Sequence, residues 1–313
     1  MLLTRICRPW RDVAVDMPGL WCRLHVDINI NGVGQEDEEV DDSDWEESDV
    51  EFDDNAWQRA AFCYNSWLKR SRGRPLSLVL RRYHSTKLLG NLLQPYANQI
   101  SSLSIRFLRR VGKPQPLLKD VPALRELVIL EMKGPDIQSM AQSISQLPFT
   151  MRVLDVMKSP FDMHRLSSLN PVWAHLTQVK ITLLHPDAFF HLLHLCPNLS
   201  SLTVAAVFGY RRTSESFTHT NTHTNIQSLD IDYTTDSAMI LNPLSIFDTL
   251  SLPNLRVLKA RCLTPVHHKQ LRKFFVRSKC PLERLIFGGW AKATDRERAK
   301  YVALIPSLDV VVT

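Results

Sequence analysis

The chain has 313 residues, enough for one large core or two smaller ones, and 44% of them are hydrophobic, an ordinary share for a globular protein. Its 38 basic and 32 acidic residues leave a formal net charge of +6. No apolar run approaches the roughly 18 residues that span a bilayer, no signal-peptide core follows Arg5, Arg8 and Arg11, and Cys7, Cys22, Cys63, Cys196, Cys262 and Cys280 fall at neither metal nor disulfide spacing. A membrane span, a secretory leader and a disulfide framework are therefore not expected; reduced thiols in a cytoplasmic or nuclear protein are.

The first informative stretch is ICRPWRDVAVDMPGLWCRLHVDI, from Ile6 to Ile28. It sets Trp10 and Trp21 around an Asp–Met–Pro–Gly break and reads as a short helical segment over residues 1–28, kinked where Pro9 removes a helix donor. Residues 29–54 follow as an acidic loop. Within it, Gln35 to Asp54 holds 13 acidic residues and no basic one. Such dense like charge repels itself and is expected to stay solvated and disordered. The remaining chain carries 38 basic residues against the 19 acidic ones left of 32, a net of +19. NAWQRAAFCYNSWLKR (55–70) then places Trp57, Ala60, Ala61, Tyr64, Trp67 and Leu68 on one helical stripe.

From residue 55 to the end one pattern recurs, aliphatic-x-x-aliphatic-x-aliphatic. Its central residues are Leu78, Leu103, Leu127, Leu154, Val179, Leu202, Leu229, Leu258, Leu285 and Val311, spaced 23 to 29 apart. That period falls in the window of leucine-rich repeats. The second and third aliphatics of each unit share one face of a strand, and about 25 residues suffice for a strand, a crossover and a return. Pro122, Pro148, Pro197, Pro253, Pro281 and Pro306 precede the strands, where a missing donor costs the sheet nothing and a preceding helix is stopped. Helices are expected between strands: Ser85 capping STKLLGNLLQPY, residues 136–147, Thr264 and Pro265 opening TPVHHKQLRKFF, and Thr294 with Glu297 as a capping box. The expected fold is α/β: a leucine-rich-repeat solenoid of nine to ten irregular units over residues 55–313, a curved parallel sheet with outer helices, since no unit can bury its apolar face alone.

Few residues suggest chemistry. His191, His194 and Cys196 could share a helical face, but a zinc site needs further ligands. His219 and His223 lie in a polar stretch that reads as loop, and His267 and His268 read as solvated. No P-loop, Gly-x-Ser-x-Gly or Gly-x-Gly-x-x-Gly occurs among ten glycines, so neither a catalytic residue nor a cofactor or metal site is nominated, and the chain reads as a non-enzyme. The better candidate is a surface. Outward positions of the sheet include Arg106, Glu126, Val128, Asp155, Lys180, Thr182, Asp230, Asp232, Lys259 and Arg261, with Asp230 beside Lys259 and Asp232 beside Arg261. This mixed-charge concave face is expected to grip a protein segment.

Ile6-Cys7-Arg8-Pro9-Trp10-Arg11 and Pro18-Gly19-Leu20-Trp21 resemble the second half of an F-box, and the continuation through WLKRSRGRPLSLVL (67–80) into ragged repeats resembles fungal F-box-like proteins. The family's first helix, with its Leu-Pro start, has no counterpart here. The resemblance implies a substrate receptor of a Skp–cullin–F-box ubiquitin ligase. It would hold a Skp-type adaptor through Leu3, Ile6, Trp10, Leu20 and Trp21, and a protein target through Arg106, Glu126, Lys180, Asp230, Asp232, Lys259 and Arg261. Two other readings stand beside it. One is a stand-alone scaffold in which Ile6, Trp10, Val13, Leu20, Trp21 and Leu24 cap the end of the repeats. The other is a basic solenoid binding nucleic acid through stripes such as LKRSRGR (68–74) and RFLRR (106–110), and the scatter of the basic residues disfavours it.

Overall fold

The computed structural model describes residues 8–27, 54–82, 86–107, 121–132, 147–168, 172–206, 221–232, 246–261, 265–288 and 294–312. Among these residues the aliphatic triplets become strands. In chain order they are β1 (Arg23–Asp27), β2 (Leu76–Arg82), β3 (Ile100–Phe107), β4 (Glu126–Met132), β5 (Val153–Phe161), β6 (Gln178–Leu183), β7 (Ser201–Ala206), β8 (Asn221–Thr222), β9 (Ser228–Asp232), β10 (Leu250–Ser251), β11 (Val257–Arg261), β12 (Arg284–Gly288) and β13 (Asp309–Val312). β8 and β10 pair with each other. The other strands form an 11-stranded sheet in chain order, open, with β1 and β13 at its edges. Every pairing in it is parallel.

The register lines the central aliphatics into one row. It runs Leu24, Leu78, Leu103, Leu127, Leu154, Val179, Leu202, Leu229, Leu258, Leu285 and Val310. All are buried, and all belong to one continuous apolar cluster. Two expectations are corrected here. Residues 23–27, placed in a helical segment, form the first strand, because Leu24 and Val26 alternate inward like the aliphatics of β2. In the last unit Val310, not Val311, takes the core position opposite Leu285.

The helices are α1 (Arg8–Val15), α2 (Asp54–Arg70), α3 (Thr86–Leu93), α4 (Met163–Ser168), α5 (Pro186–Leu195), α6 (Pro265–Ser278) and α7 (Asp295–Leu304), again among the described residues. Leu68, Leu89, Leu166, Phe189, Leu271 and Tyr301, from α2 to α7, join the same cluster as the inward strand residues, so these helices cover the sheet's core face. Pro9 is the second described residue of α1. Pro265 opens α6, and the Thr294 hydroxyl caps α7 by accepting the Glu297 amide at 3.3 Å. The expected helix over 136–147 and the caps Ser85 and Thr264 lie outside the described residues, as does the acidic stretch up to residue 53.

Four of the prolines that precede strands act as turn residues. Leu124 N donates to Val121 O, Leu199 N to Cys196 O, Leu255 N to Leu252 O and Leu308 N to Ile305 O, at 3.0–3.3 Å. Pro122, Pro197, Pro253 and Pro306 occupy the second position of these four-residue turns, where a fixed φ is an advantage. Successive turns are tied together by side chains. The amides of Asn198, Asn225 and Asn254 donate to the carbonyls of Ala174, Pro197 and Thr224 at 2.8, 2.8 and 2.6 Å. Thr150 Oγ1 does the same for Pro122 O at 2.9 Å.

Candidate functional site

The outward face of the sheet carries the charges expected of it. Lys180 and Asp155, opposite each other on β6 and β5, form an ion pair at 3.2 Å. Asp230 lies opposite Lys259, and Asp232 opposite Arg261. The pairing, however, is not simply across. Arg261 Nη2 donates to both oxygens of Asp230, at 3.2 and 3.1 Å, while its Nη1 lies 3.4 Å from Asp232 and the Lys259 ammonium stands 3.9 Å from Asp230. A guanidinium carries several donors spread over its plane, so Arg261 reaches diagonally and bridges two carboxylates, Nη2 on Asp230 and Nη1 on Asp232. Asp230 is thereby largely covered, and the exposed parts of the cluster are the cations. Glu126 accepts from Ser102 Oγ at 2.8 Å, and Arg106 takes its register position opposite Glu131. Thr182, expected outward, is instead buried. The register shifts between Val156 and Pro160, which brings its hydroxyl onto Met157 O.

The N-terminal segment divides into two sets of residues. Trp21, expected on an adaptor-binding face, is 4% exposed. Its indole donates to Ala14 O at 2.8 Å, its carbonyl accepts from the Trp67 indole at 3.0 Å, its ring meets Trp67 edge-on at 4.7 Å, and Arg70 sits 4.6 Å over it. It pins α1 and the turn Pro18–Trp21 to α2, and with Leu24 it closes the sheet's first edge. Trp10, Val13, Met17 and Leu20 are instead 58, 50, 52 and 49% exposed. Large apolar groups standing together in water mark an interaction surface more often than single ones do. Leu3 and Ile6 lie outside the described residues. Val13 and Met17 were not chosen from sequence as binding residues, although the helical spacing Trp10–Val13 carried the signal.

The basic stripe 68–74 is partly engaged by the protein itself: Arg70 covers Trp21, and Arg72 pairs with Asp16 at 3.0 Å. The stripe 106–110 lies outside the described residues beyond Phe107. His191 hydrogen-bonds Ser167 at 3.0 Å, His194 is exposed, and Cys196 is buried with its thiol pushed far up by desolvation. Among the described residues no three His, Cys, Asp or Glu side chains are grouped as metal ligands. His223 follows β8 and is buried, with Nε2 2.8 Å from Cys196 O. His268, expected in solvent, is also buried. It lies on the inner side of α6, where Tyr301 of α7 reaches its Nδ1 at 2.7 Å and Phe287 meets its ring edge-on. Among the described residues no helix is long and apolar enough to cross a membrane. Compared with protein families and with curated proteins, the chain matches no family model and no curated sequence.

Proposed function

We propose that this chain is an F-box-like leucine-rich-repeat protein that works as a substrate receptor. Its N-terminal apolar patch holds a Skp-type adaptor of a cullin–RING ubiquitin ligase, and the charged outward face of a solenoid-like sheet holds the protein target. The ubiquitin chemistry belongs to the partners, and this chain supplies distance and orientation. One observation carries the reading: Trp10, Val13, Met17 and Leu20 stand exposed on one end of the molecule while Trp21 and Trp67 fix that end to the sheet. A patch that merely closed the core would bury these side chains. On the other face, exposed Lys180, Lys259 and Arg261 beside largely covered Asp155 and Asp230 offer cations to a complementary segment.

Co-expression with a Skp-type adaptor tests this. The full chain is expected to co-purify with the adaptor. Trp10→Ala should abolish co-purification while leaving the unfolding midpoint within the roughly 0.5 kcal/mol typical of an exposed substitution. An adaptor that ignores the chain, or binds the Trp10→Ala protein equally well, overturns the assignment.

A further inference from the structure

One row of residues stands just ahead of the paired strands, at the sheet's N-terminal edge. Arg125, Arg152, Thr177, Ser200 and Gln227 each directly precede the first residue of β4, β5, β6, β7 and β9. Their backbone amides and carbonyls bond along the row, Arg152 N to Arg125 O, Thr177 N to Arg152 O, Ser200 N to Thr177 O and Gln227 N to Ser200 O, at 2.8–2.9 Å. The backbone is therefore spent, and anything lying along this edge meets side chains.

What it meets is an open groove of about 440 Å³. Arg152, Thr177, Ser200 and Gln227 line it on one row, and His175, Asn198 and Asn225 on the turns before. None of these is acidic. Arg152 Nη1 is fixed by the carbonyls of Phe149 and Met151, both at 2.7 Å, which leaves its Nε and Nη2 donors uncommitted among the described residues. Arg125, the exposed residue just ahead of β4 and next to Arg152 in the row though outside the groove's lining, makes no ion pair among the described residues. Two like charges side by side are unfavourable unless something of opposite sign lies between them. The same row supplies its own comparison: beyond the groove, Arg256 is matched by Glu283 on the next strand at 2.7 Å. The row compensates its arginine where no groove runs, and leaves Arg152 without an acidic partner in the groove and Arg125 without one at the next position of the row.

We infer that this edge groove binds an extended acidic peptide, one carboxylate lying on Arg125 and Arg152 and the following main chain crossing Thr177, Ser200 and Gln227. Guanidinium forks take carboxylates two-pronged, and a guanidinium already held by its own turn loses little freedom on binding. Strands about 4.8 Å apart make the row from Arg152 to Gln227 about 14 Å long, room for about four extended residues. A lone small anion would fill only its arginine end. The uncommitted amide of Gln227 and the hydroxyl oxygens of Thr177 and Ser200 suit peptide N–H and C=O groups. This site lies apart from both the N-terminal patch and the outward charge cluster, so it stands or falls independently of the receptor reading.

The test is calorimetric titration of the full chain with an N-acetylated tetraglutamate peptide and, separately, with inorganic phosphate. The peptide is expected to bind with an affinity that falls as salt rises. Arg125→Ala and Arg152→Ala should each weaken it about tenfold or more, and Gln227→Ala about threefold. Arg284→Ala, an exposed arginine on β12 away from the groove, should leave it unchanged. Arg152 also braces its own turn, so circular dichroism accompanies that variant. Arg125, which braces nothing, carries the test should the Arg152 variant unfold. Absence of peptide binding, binding indifferent to Arg125→Ala, or phosphate binding as tightly as the peptide would each overturn the inference.

Discussion

Two side chains show how one residue decides more than its own position. Trp21 donates to α1, accepts from α2 and meets Trp67 edge-on. Trp21→Ala is expected to cost about 3–5 kcal/mol in denaturant unfolding, because a large cavity opens and the Trp67 edge contact is lost together. Asp230 behaves differently. It gathers Arg261 and Lys259, yet both cations are nearly half-exposed, and water screens such pairs. A double-mutant cycle of Asp230→Asn and Arg261→Gln should return a coupling of about 0.2–1 kcal/mol. The cluster is therefore a poor stabiliser and a better recognition element, since what little holds the cations can be exchanged for a partner's carboxylate.

At the scale of elements, the α6–α7 pair holds an acid-sensitive contact. Desolvation lowers the His268 imidazole below its ordinary range; Glu297 pulls it back up, and Arg272 and Lys300 push it down. Burial raises the Tyr301 phenol, so the pair meets as neutral groups. Glu297 bridges the two helices, accepting from Arg272 at 2.6 Å and from Lys300 at 2.9 Å, and the Lys300 hydrogen bond is the main reason its carboxyl sits below the usual value. The sign is the same for both residues. Above about pH 6.5 the imidazole is neutral in both folded and unfolded chains, with no penalty. Below that, the unfolded chain takes up a proton the folded one resists, and stability falls by at most about 1.4 kcal/mol per pH unit. Glu297 adds its loss only at lower pH, as the carboxylate itself is protonated. The thermal midpoint should thus drop between pH 7 and 5.5, and His268→Gln should flatten that slope; an unchanged slope would show that the imidazole is not the group responsible. Tyr301→Phe is expected to cost about 1–3 kcal/mol by leaving a buried nitrogen without its partner.

Over the whole molecule, one aliphatic row crosses all eleven strands of the sheet without a break. No strand closes back on another, so each unit is stabilised by the neighbours on its two sides. Leu202→Ala, inside the row on β7, should cost about 2–5 kcal/mol, and the loss should extend to β6 and β9 in hydrogen exchange. Much of this could be read beforehand. The aliphatic triplets located β2 to β7, β9, β11 and β12, though not the short pair β8 and β10, because a period-2 pattern one slip out of place would turn every aliphatic into water. The same logic failed at the two ends. At β13 three consecutive valines offer no polar residue to fix the phase. At β1 only Leu24 and Val26 signal the strand, beside a motif that reads as helix. Of the candidate site, the charged outward positions were legible from alternation, and the diagonal reach of Arg261 was not, since side-chain length and planarity act across strands.

The sequence by itself determined that the chain forms strands about 25 residues apart with aliphatics on one side and charges on the other, because alternation and turn chemistry are local properties. Tertiary structure alone decided which members of the N-terminal cluster are buried and which face water, that His268 lies in the core, and that Arg152, next to Arg125 in its row, stands in a groove whose lining holds no acidic residue. Each of those outcomes depends on residues far apart in the chain arriving at the same place, and no local pattern encodes that meeting.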